Sequence, residues 1–371
     1  LSNTTGDANT AIGSGTLYAC TTGSENTALG KDAGANITTG ASNTFLGRSA
    51  GVSNTTGTEN VAVGALALDA NTTGNSNTAT GMSSLTTNTT GTQNVANGGY
   101  ALRYNTTGSY NTANGFQALQ SNTTASDNTA VGYQSLSSNT TASFNTAVGK
   151  SALTSATTGS SNTAIGVAAL KENTLSALNV AVGRNALRNL NHTSATDAYN
   201  VAVGNEAGSA VTTGIRNTLM GGEAGDSLTD ADDNVAIGAL ALSGDTLGSQ
   251  SVAIGRGALK VQNFTSATST YNVAVGYSAG ESVTTGIRNT LIGGLSGDAL
   301  TTGVRNVAIG FQALTTDTKG QRTVAIGHNA LSVQNFTTAT DSYNTAVGHE
   351  AGASVTTGVQ NTFIGGLAGD A

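Results

Sequence analysis

Asn60-Val61-Ala62-Val63-Gly64 decides the fold, because the phrase returns on a fixed period. Close variants of Asn-(Thr/Val)-Ala-(Ile/Val/Leu)-Gly open at Asn9, Asn26, Asn43 and then every 17 residues to Asn179. They continue at Asn200, Asn217, Asn234, Ser251, Asn272, Asn289, Asn306, Thr323, Asn344 and Asn361, with three steps of 21 in place of 17. A period this short assigns one coil of a solenoid to each repeat. The expected fold is therefore all-β, a parallel β-solenoid of 17-residue coils.

Counting the opening Asn as position 0, positions 1 and 3 of the phrase share one side of an extended segment and position 2 takes the other. Val61 and Val63 face together, and Ala62 faces away. A small residue held so constant on the outer side implies that this side also meets something close. Gly64, Gly132, Gly149 and Gly166 end their strands where a positive φ is needed. A second apolar pair follows, such as Ala67-Leu68, and then an Asn-Thr-Thr-Gly turn, as at Asn71–Gly74. The expected coil has two short strands and two turns. Frequent glycine and the period of two argue against helix. Coils stacked at strand spacing give a rod on the order of 100 Å long. Asn60, Asn77, Asn94, Asn111, Asn128 and Asn145 then form a ladder in which each amide bonds the ones above and below.

A second rhythm divides the chain. Residues 1–178 read as a regular solenoid. Residues 179–371 read as a solenoid with a 72-residue super-repeat and a four-residue insertion after each of Leu187, Leu259 and Leu331. The two are expected to form one continuous rod, a fragment of a longer chain. Insertions in solenoids map to loops on one side, so three protrusions are expected about 19 Å apart.

With 14 Lys and Arg against 21 Asp and Glu, the net charge is −7, and no basic stripe stands out. That argues against a nucleic-acid partner. The lone Cys20 excludes an intrachain disulfide framework and reads as a small core residue. No apolar run approaches the roughly 20 residues needed to span a bilayer.

His192, His328 and His349 fall in no repeating spacing with a nucleophile or carboxylate, so no catalytic group is expected. Gly-Gly-x-x-Gly-Asp at Gly221–Asp226, Gly293–Asp298 and Gly365–Asp370 only loosely matches a calcium-binding nonapeptide. Glu223, Asp226, Asp230, Asp232 and Asp233 offer oxygen ligands for weak Ca²⁺ binding or read as solvated turn residues; no cofactor is expected. Asn3, Asn54, Asn71, Asn88, Asn105, Asn122 and Asn139 open formal glycosylation sequons that also suit turns. The candidate surface-recognition loops hold His192, Phe264 and Phe336 in the insertions, and Tyr199, Tyr271 and Tyr343 just before the next opening phrase. Aromatic side chains on loops suit sugar or protein recognition; the alternative is that they pack on the bulge and cap it.

Ser251-Val252-Ala253-Ile254-Gly255 and Thr323-Val324-Ala325-Ile326-Gly327 resemble the head repeat of YadA-like trimeric autotransporter adhesins. The variant at Asn128–Gln134 resembles repeats of phage tail-fibre proteins. The resemblance implies a left-handed β-roll assembled as a homotrimer, with close subunit approach explaining the constant Ala. No heptad run and no membrane-anchor barrel is read in this stretch of sequence, and its period exceeds that of the usual head repeat. The expected function is a non-enzymatic fibre shaft or head, extracellular, on a cell surface or on a virion, partnered by itself and by a host-surface glycan or protein. The alternatives are a single-chain solenoid that forms extracellular filaments end to end, and an ice- or glycan-binding array.

Overall fold

The computed structural model describes residues 2–370; Leu1 and Ala371, the outer limits of the two regions above, lie outside the described residues. The chain divides into two compact units, Leu1–Asn179 with Asn191–Asp197, and Val180–Leu190 with Ala198–Ala371. Each unit is a parallel β-solenoid, and no helix occurs among the described residues.

In the first unit three-residue strands run from Thr10–Ile12 to Thr163–Ile165, each paired in parallel with the next. The second unit repeats this from Val180–Val182 to Thr362–Ile364. Register is position on position: Val61 lies on Thr78, Ala62 on Ala79 and Val63 on Thr80. A 17-residue shift therefore places like side chains over like, and the ladders follow from that register.

The strand faces are the reverse of the sequence expectation. Ala62 is fully buried, whereas Val61 and Val63 are each 36% exposed. Position 2 points into the coil because Leu at position 8 occupies the space opposite it. Only a small residue fits beside that leucine. Coils that place a large residue at position 2 confirm the constraint, since they carry Gly at position 8. Phe45 sits with Gly51, and a Cβ there would lie 2.5 Å from the Phe45 ring. Leu219 sits with Gly225, Leu291 with Gly297 and Phe363 with Gly369 on the same terms. The constant Ala thus reflects packing within one chain.

The second expected strand is absent. Ala67 and Leu68 are fully buried, but they lie in a run of turns. Leu66 and Leu68 have φ of 60° and 53°, and the same corners recur along the chain. A left-handed residue cannot extend a strand. Each such corner costs about 1–2 kcal/mol for a residue with a Cβ, an amount offset by burial of the leucine, worth about 1.5–3 kcal/mol. At Gly64 the φ of 136° and the carbonyl of Gly81, 2.6 Å from where a Cβ would stand, both require glycine.

Two asparagine ladders fill the polar side of the core. The Oδ1 of Asn43 accepts from the backbone N–H of Asn60 at 2.9 Å and from its Nδ2 at 3.2 Å. The Nδ2 of Asn60 also donates to the carbonyl of Gly74 at 2.9 Å, tying strand to turn across the coil. A second ladder runs through the Asn-Thr-Thr turns, where the Nδ2 of Asn71 donates to Gly74 and to the Oδ1 of Asn54. Asn54, Asn71, Asn88, Asn105, Asn122 and Asn139 are fully buried, so these sequons are structural; Asn3 alone of the seven is exposed. Cys20 is buried, with its Sγ 3.4 Å from the carbonyl of Gly23, and burial raises its pKa against that bond.

Candidate functional site

The insertions close back onto the solenoid. Thr196–Asp197, Thr268–Ser269 and Thr340–Asp341 pair in parallel with Ser176–Ala177, Gly248–Ser249 and Gly320–Gln321. His192, Phe264 and Phe336 are only 8, 7 and 6% exposed. Their side chains plug the bulge, which is the packing alternative for these three residues. Ser176 meets the Nδ1 of His192 at 2.6 Å, whereas Gly248 and Gly320 stand at the matching place beside the bulkier phenylalanines. Tyr199, Tyr271 and Tyr343 stay exposed, at left-handed corners with φ of 50–52°.

Beneath the second and third insertions lies a polar network that the sequence reading missed. Asp245 is fully buried. Its Oδ1 accepts from the N–H groups of Gly248 and Phe264, both at 3.1 Å, and its Oδ2 accepts from Gln262 at 2.6 Å. Asp317, Gln334 and Phe336 repeat the arrangement. The 72-residue recurrence of Asp and Gln was the available signal.

The carboxylates considered for calcium are held apart in separate pairings. Asp230 accepts from Thr213, Asp232 accepts from the N–H of Ile215, and Asp233 takes both guanidinium donors of Arg216. The Arg216 pair holds Asp233 below the usual carboxylate range and raises Arg216. Burial pushes Asp226 and Asp298 upward, and the Oδ1 of Asp226 is a buried oxygen with no hydrogen bond. The one group among the described residues with three ligand atoms close enough to hold a metal is His328, His349 and Glu350. Its imidazoles stack at 5.0 Å, and Phe311 continues the stack at 5.8 Å. The 21-residue step between the two histidines concealed their adjacency. Both imidazoles are exposed, and two imidazole nitrogens with one carboxylate suit a borderline divalent metal better than calcium.

Two further surface rows emerge from the register. Phe116 stacks on Tyr133 at 5.8 Å and meets Tyr100 edge-on at 5.7 Å, with Arg103 over Tyr100 and Tyr104. This places an aromatic cluster in the region expected to be plain. Arg288, Arg305 and Arg322 occupy one corner of three successive coils. Backbone bonds from Arg305 to Ile287 and from Arg322 to Val304 link those coils. Net charge conceals this basic stripe, which emerges only at the 17-residue spacing of the stacked coils.

The outer face of the strands is uniform. Position 1 is Thr or Val throughout, and position 3 is aliphatic except at Thr80, Asn97 and Asn114. Among the described residues, no strand carries a charged residue on this face. No helix among the described residues is long and apolar enough to cross a membrane. The chain matches no family model, and the search of curated proteins found no match.

Proposed function

We propose that the chain is the shaft or head of a non-enzymatic attachment fibre, extracellular, on a cell surface or virion. In this reading three copies pack as left-handed β-rolls through the outer faces of their strands and present corner residues to a host-surface glycan or protein. The observation that carries it is the charge-free outer face. Ile165, Met220 and Ile292 are 37–41% exposed there, and within each unit position 3 stays apolar from coil to coil from Val131 onward. Single exposed apolar residues are ordinary, but contiguous apolar patches mark interaction sites. A lysine on a strand edge or face is the common protection against association, and this face has none. No cofactor takes part in this role.

Sedimentation velocity on the folded chain tests the reading. The expected mass is three times 36.4 kDa, and Val235→Lys with Ile237→Lys is expected to give monomers that keep their far-UV spectrum. A wild-type monomer would overturn it. The alternation of Thr at position 1 with an aliphatic residue at position 3, as in Thr163-Ala164-Ile165, favours one second reading. A regular Thr and aliphatic array is also a surface for ordered water, and a monomer that shows thermal hysteresis would select that role.

A further inference from the structure

We propose that the corner Tyr271-Arg288-Arg305-Arg322-Tyr343 binds an extended anionic polysaccharide, carboxylated or sulfated, lying across successive coils. The proposal deepens the attachment reading and rests on it for the biological setting, but its geometry stands alone.

The five residues hold one position, the left-handed corner before the strand, in five consecutive coils of the second unit; φ is 50–60° at each. Side chains at that corner therefore leave the solenoid in a column at strand spacing, about 4.8 Å. Tyr271, Arg288, Arg305 and Tyr343 are exposed, and Arg322 is half-buried.

Comparison of the two super-repeats separates this column from an ordinary solvated one. In the first, the turn segments read Thr212-Thr213-Gly214-Ile215-Arg216, Thr229-Asp230-Ala231-Asp232-Asp233 and Thr246-Leu247-Gly248-Ser249-Gln250. They carry one arginine against three aspartates, and Arg216 is locked on Asp233 of the next coil at 2.6 Å. Seventy-two residues on, the same segments read Thr284-Thr285-Gly286-Ile287-Arg288, Thr301-Thr302-Gly303-Val304-Arg305 and Thr318-Lys319-Gly320-Gln321-Arg322. Every aspartate has gone, and Lys319 and two arginines have been added. Other positions change as well, among them Glu206 to Ser278 and Glu223 to Leu295, but the three aspartates lost and the three cations gained fall together on these turns.

The consequence is electrostatic. Arg305 follows Arg288 at the corner where Asp233 follows Arg216. Neither Arg288 nor Arg305 has a carboxylate within ion-pair distance among the described residues. Arg322 is braced by Asp341 and by Tyr343, whose ring lies 5.6 Å from the guanidinium carbon. Like charges stacked at strand spacing repel, and an anion bridging them removes the repulsion. Guanidinium groups present planar paired donors that match carboxylate and sulfate. The tyrosines at the two ends offer flat faces to sugar rings, with polar hydroxyls at the rim. A polymer with one anion per ring or two fits a row of cations at this spacing; a single small anion engages only one step of it.

Calorimetric titration of the full chain with heparin oligosaccharides and with oligogalacturonate tests the assignment. Binding is expected at physiological salt and is expected to weaken as salt rises. Arg288→Gln with Arg305→Gln should weaken it by about tenfold or more, since two charge-assisted contacts are lost. Arg216→Gln, at the ion-paired corner, should leave it unchanged. Absence of binding to either oligosaccharide, or equal binding by the Arg288→Gln, Arg305→Gln variant, overturns the proposal. So does duplex DNA of matched charge binding as tightly, which would make the stripe a general polyanion surface. Sedimentation of the same samples reads assembly separately, so a failed stripe and a failed fibre are told apart.

Discussion

Leu219→Ala and Gly225→Leu, made singly and together, test the rule that position 2 and position 8 share one space. Leu219 fills the room left by two glycines. A Cβ on Gly225 would lie 2.8 Å from Leu219 Cδ2, and one on Gly208 would lie 2.6 Å from Leu219 Cδ1. Truncating Leu219 leaves a gap lined by glycines that carry no side chain to collapse into it, so the loss should fall near the upper part of the about 3–5 kcal/mol range for buried Leu→Ala. Gly225→Leu alone overpacks the coil, at about 1–3 kcal/mol, and adds about 1–2 kcal/mol for a side chain at a left-handed φ. That backbone cost is the same in both backgrounds and cancels in the cycle. In the double variant the new leucine refills the space, giving the composition of the coil with Ala62 and Leu68. The pair should therefore be less destabilised than the sum by about 3 kcal/mol. Leu228 Cδ1 also lies 2.8 Å from the Gly225 Cβ position; adding Leu228→Asn, the counterpart of Asn71, should recover more. Urea denaturation followed by circular dichroism, with hydrogen exchange read over residues 217–233, is the assay, because a solenoid need not unfold in one step. Additivity within about 0.5 kcal/mol would refute the shared-space argument.

Three further outcomes follow from the same geometry. The Oδ1 of Asn139 is buried without a partner because the next coil carries Ala156 where its neighbours carry Asn; Ala156→Asn should extend the ladder and raise stability by about 1 kcal/mol, read as a higher urea midpoint. Asn94→Ala removes the acceptor of Asn111 and the donor to Gly108, and leaving such buried groups unsatisfied should cost about 2–4 kcal/mol in the same assay. Asp226 and Asp298 have folded pKa values above their unfolded ones, so the native state binds more protons and stability falls as pH rises from the ordinary carboxylate range through the raised values; Asp226→Asn with Asp298→Asn should flatten that slope in melts taken across acid pH, and an unchanged slope would refute the assignment.

The solenoid and its period were legible because register repeats the same letters at the same place. Orientation was not, since alternation in a three-residue strand says only that Val61 and Val63 oppose Ala62. Which side is inside depends on Leu68, which reaches the same space from the far side of the coil. The second strand was misread for a related reason: Ala67-Leu68 is apolar enough for a strand, but its leucine sits at a φ that residues with a Cβ rarely adopt. Surface chemistry was the least legible. Residues 17 or 21 apart in the chain are neighbours in space, so the Arg288 column and the His328 and His349 pair are visible only after the coils are stacked. For Phe264 and Phe336 the sequence left recognition and packing both open, and their burial matches the packing alternative.

The insertions also show how a ladder survives a break. At Ser251 the opening asparagine is lost, and its short side chain cannot supply the amide that the other coils use. The backbone N–H of Ser251 still donates to Asn234 at 2.9 Å, so the rung below is kept. Above it, residues on either side of the inserted segment supply the replacements. Gln262 donates to Ser251 at 2.9 Å and accepts from Asn272 at 2.8 Å, and Thr270 bonds both the Ser251 hydroxyl and the N–H of Asn272. The Gln262 amide is steadied by Asp245, whose other oxygen receives the N–H of Phe264. The same exchange recurs with Thr323, Gln334, Ser342 and Asn344. In the first insertion Asn179 keeps its place, and Leu190 and Ala198 stand where Gln262 and Thr270 would be. Loss of the asparagine and gain of the Asp, Gln and hydroxyl partners therefore go together within one chain. That linkage is what the satisfaction of buried polar groups demands, and it makes Gln262 and Thr270 part of the core, while Thr265, Ser266 and Ala267 between them stay exposed.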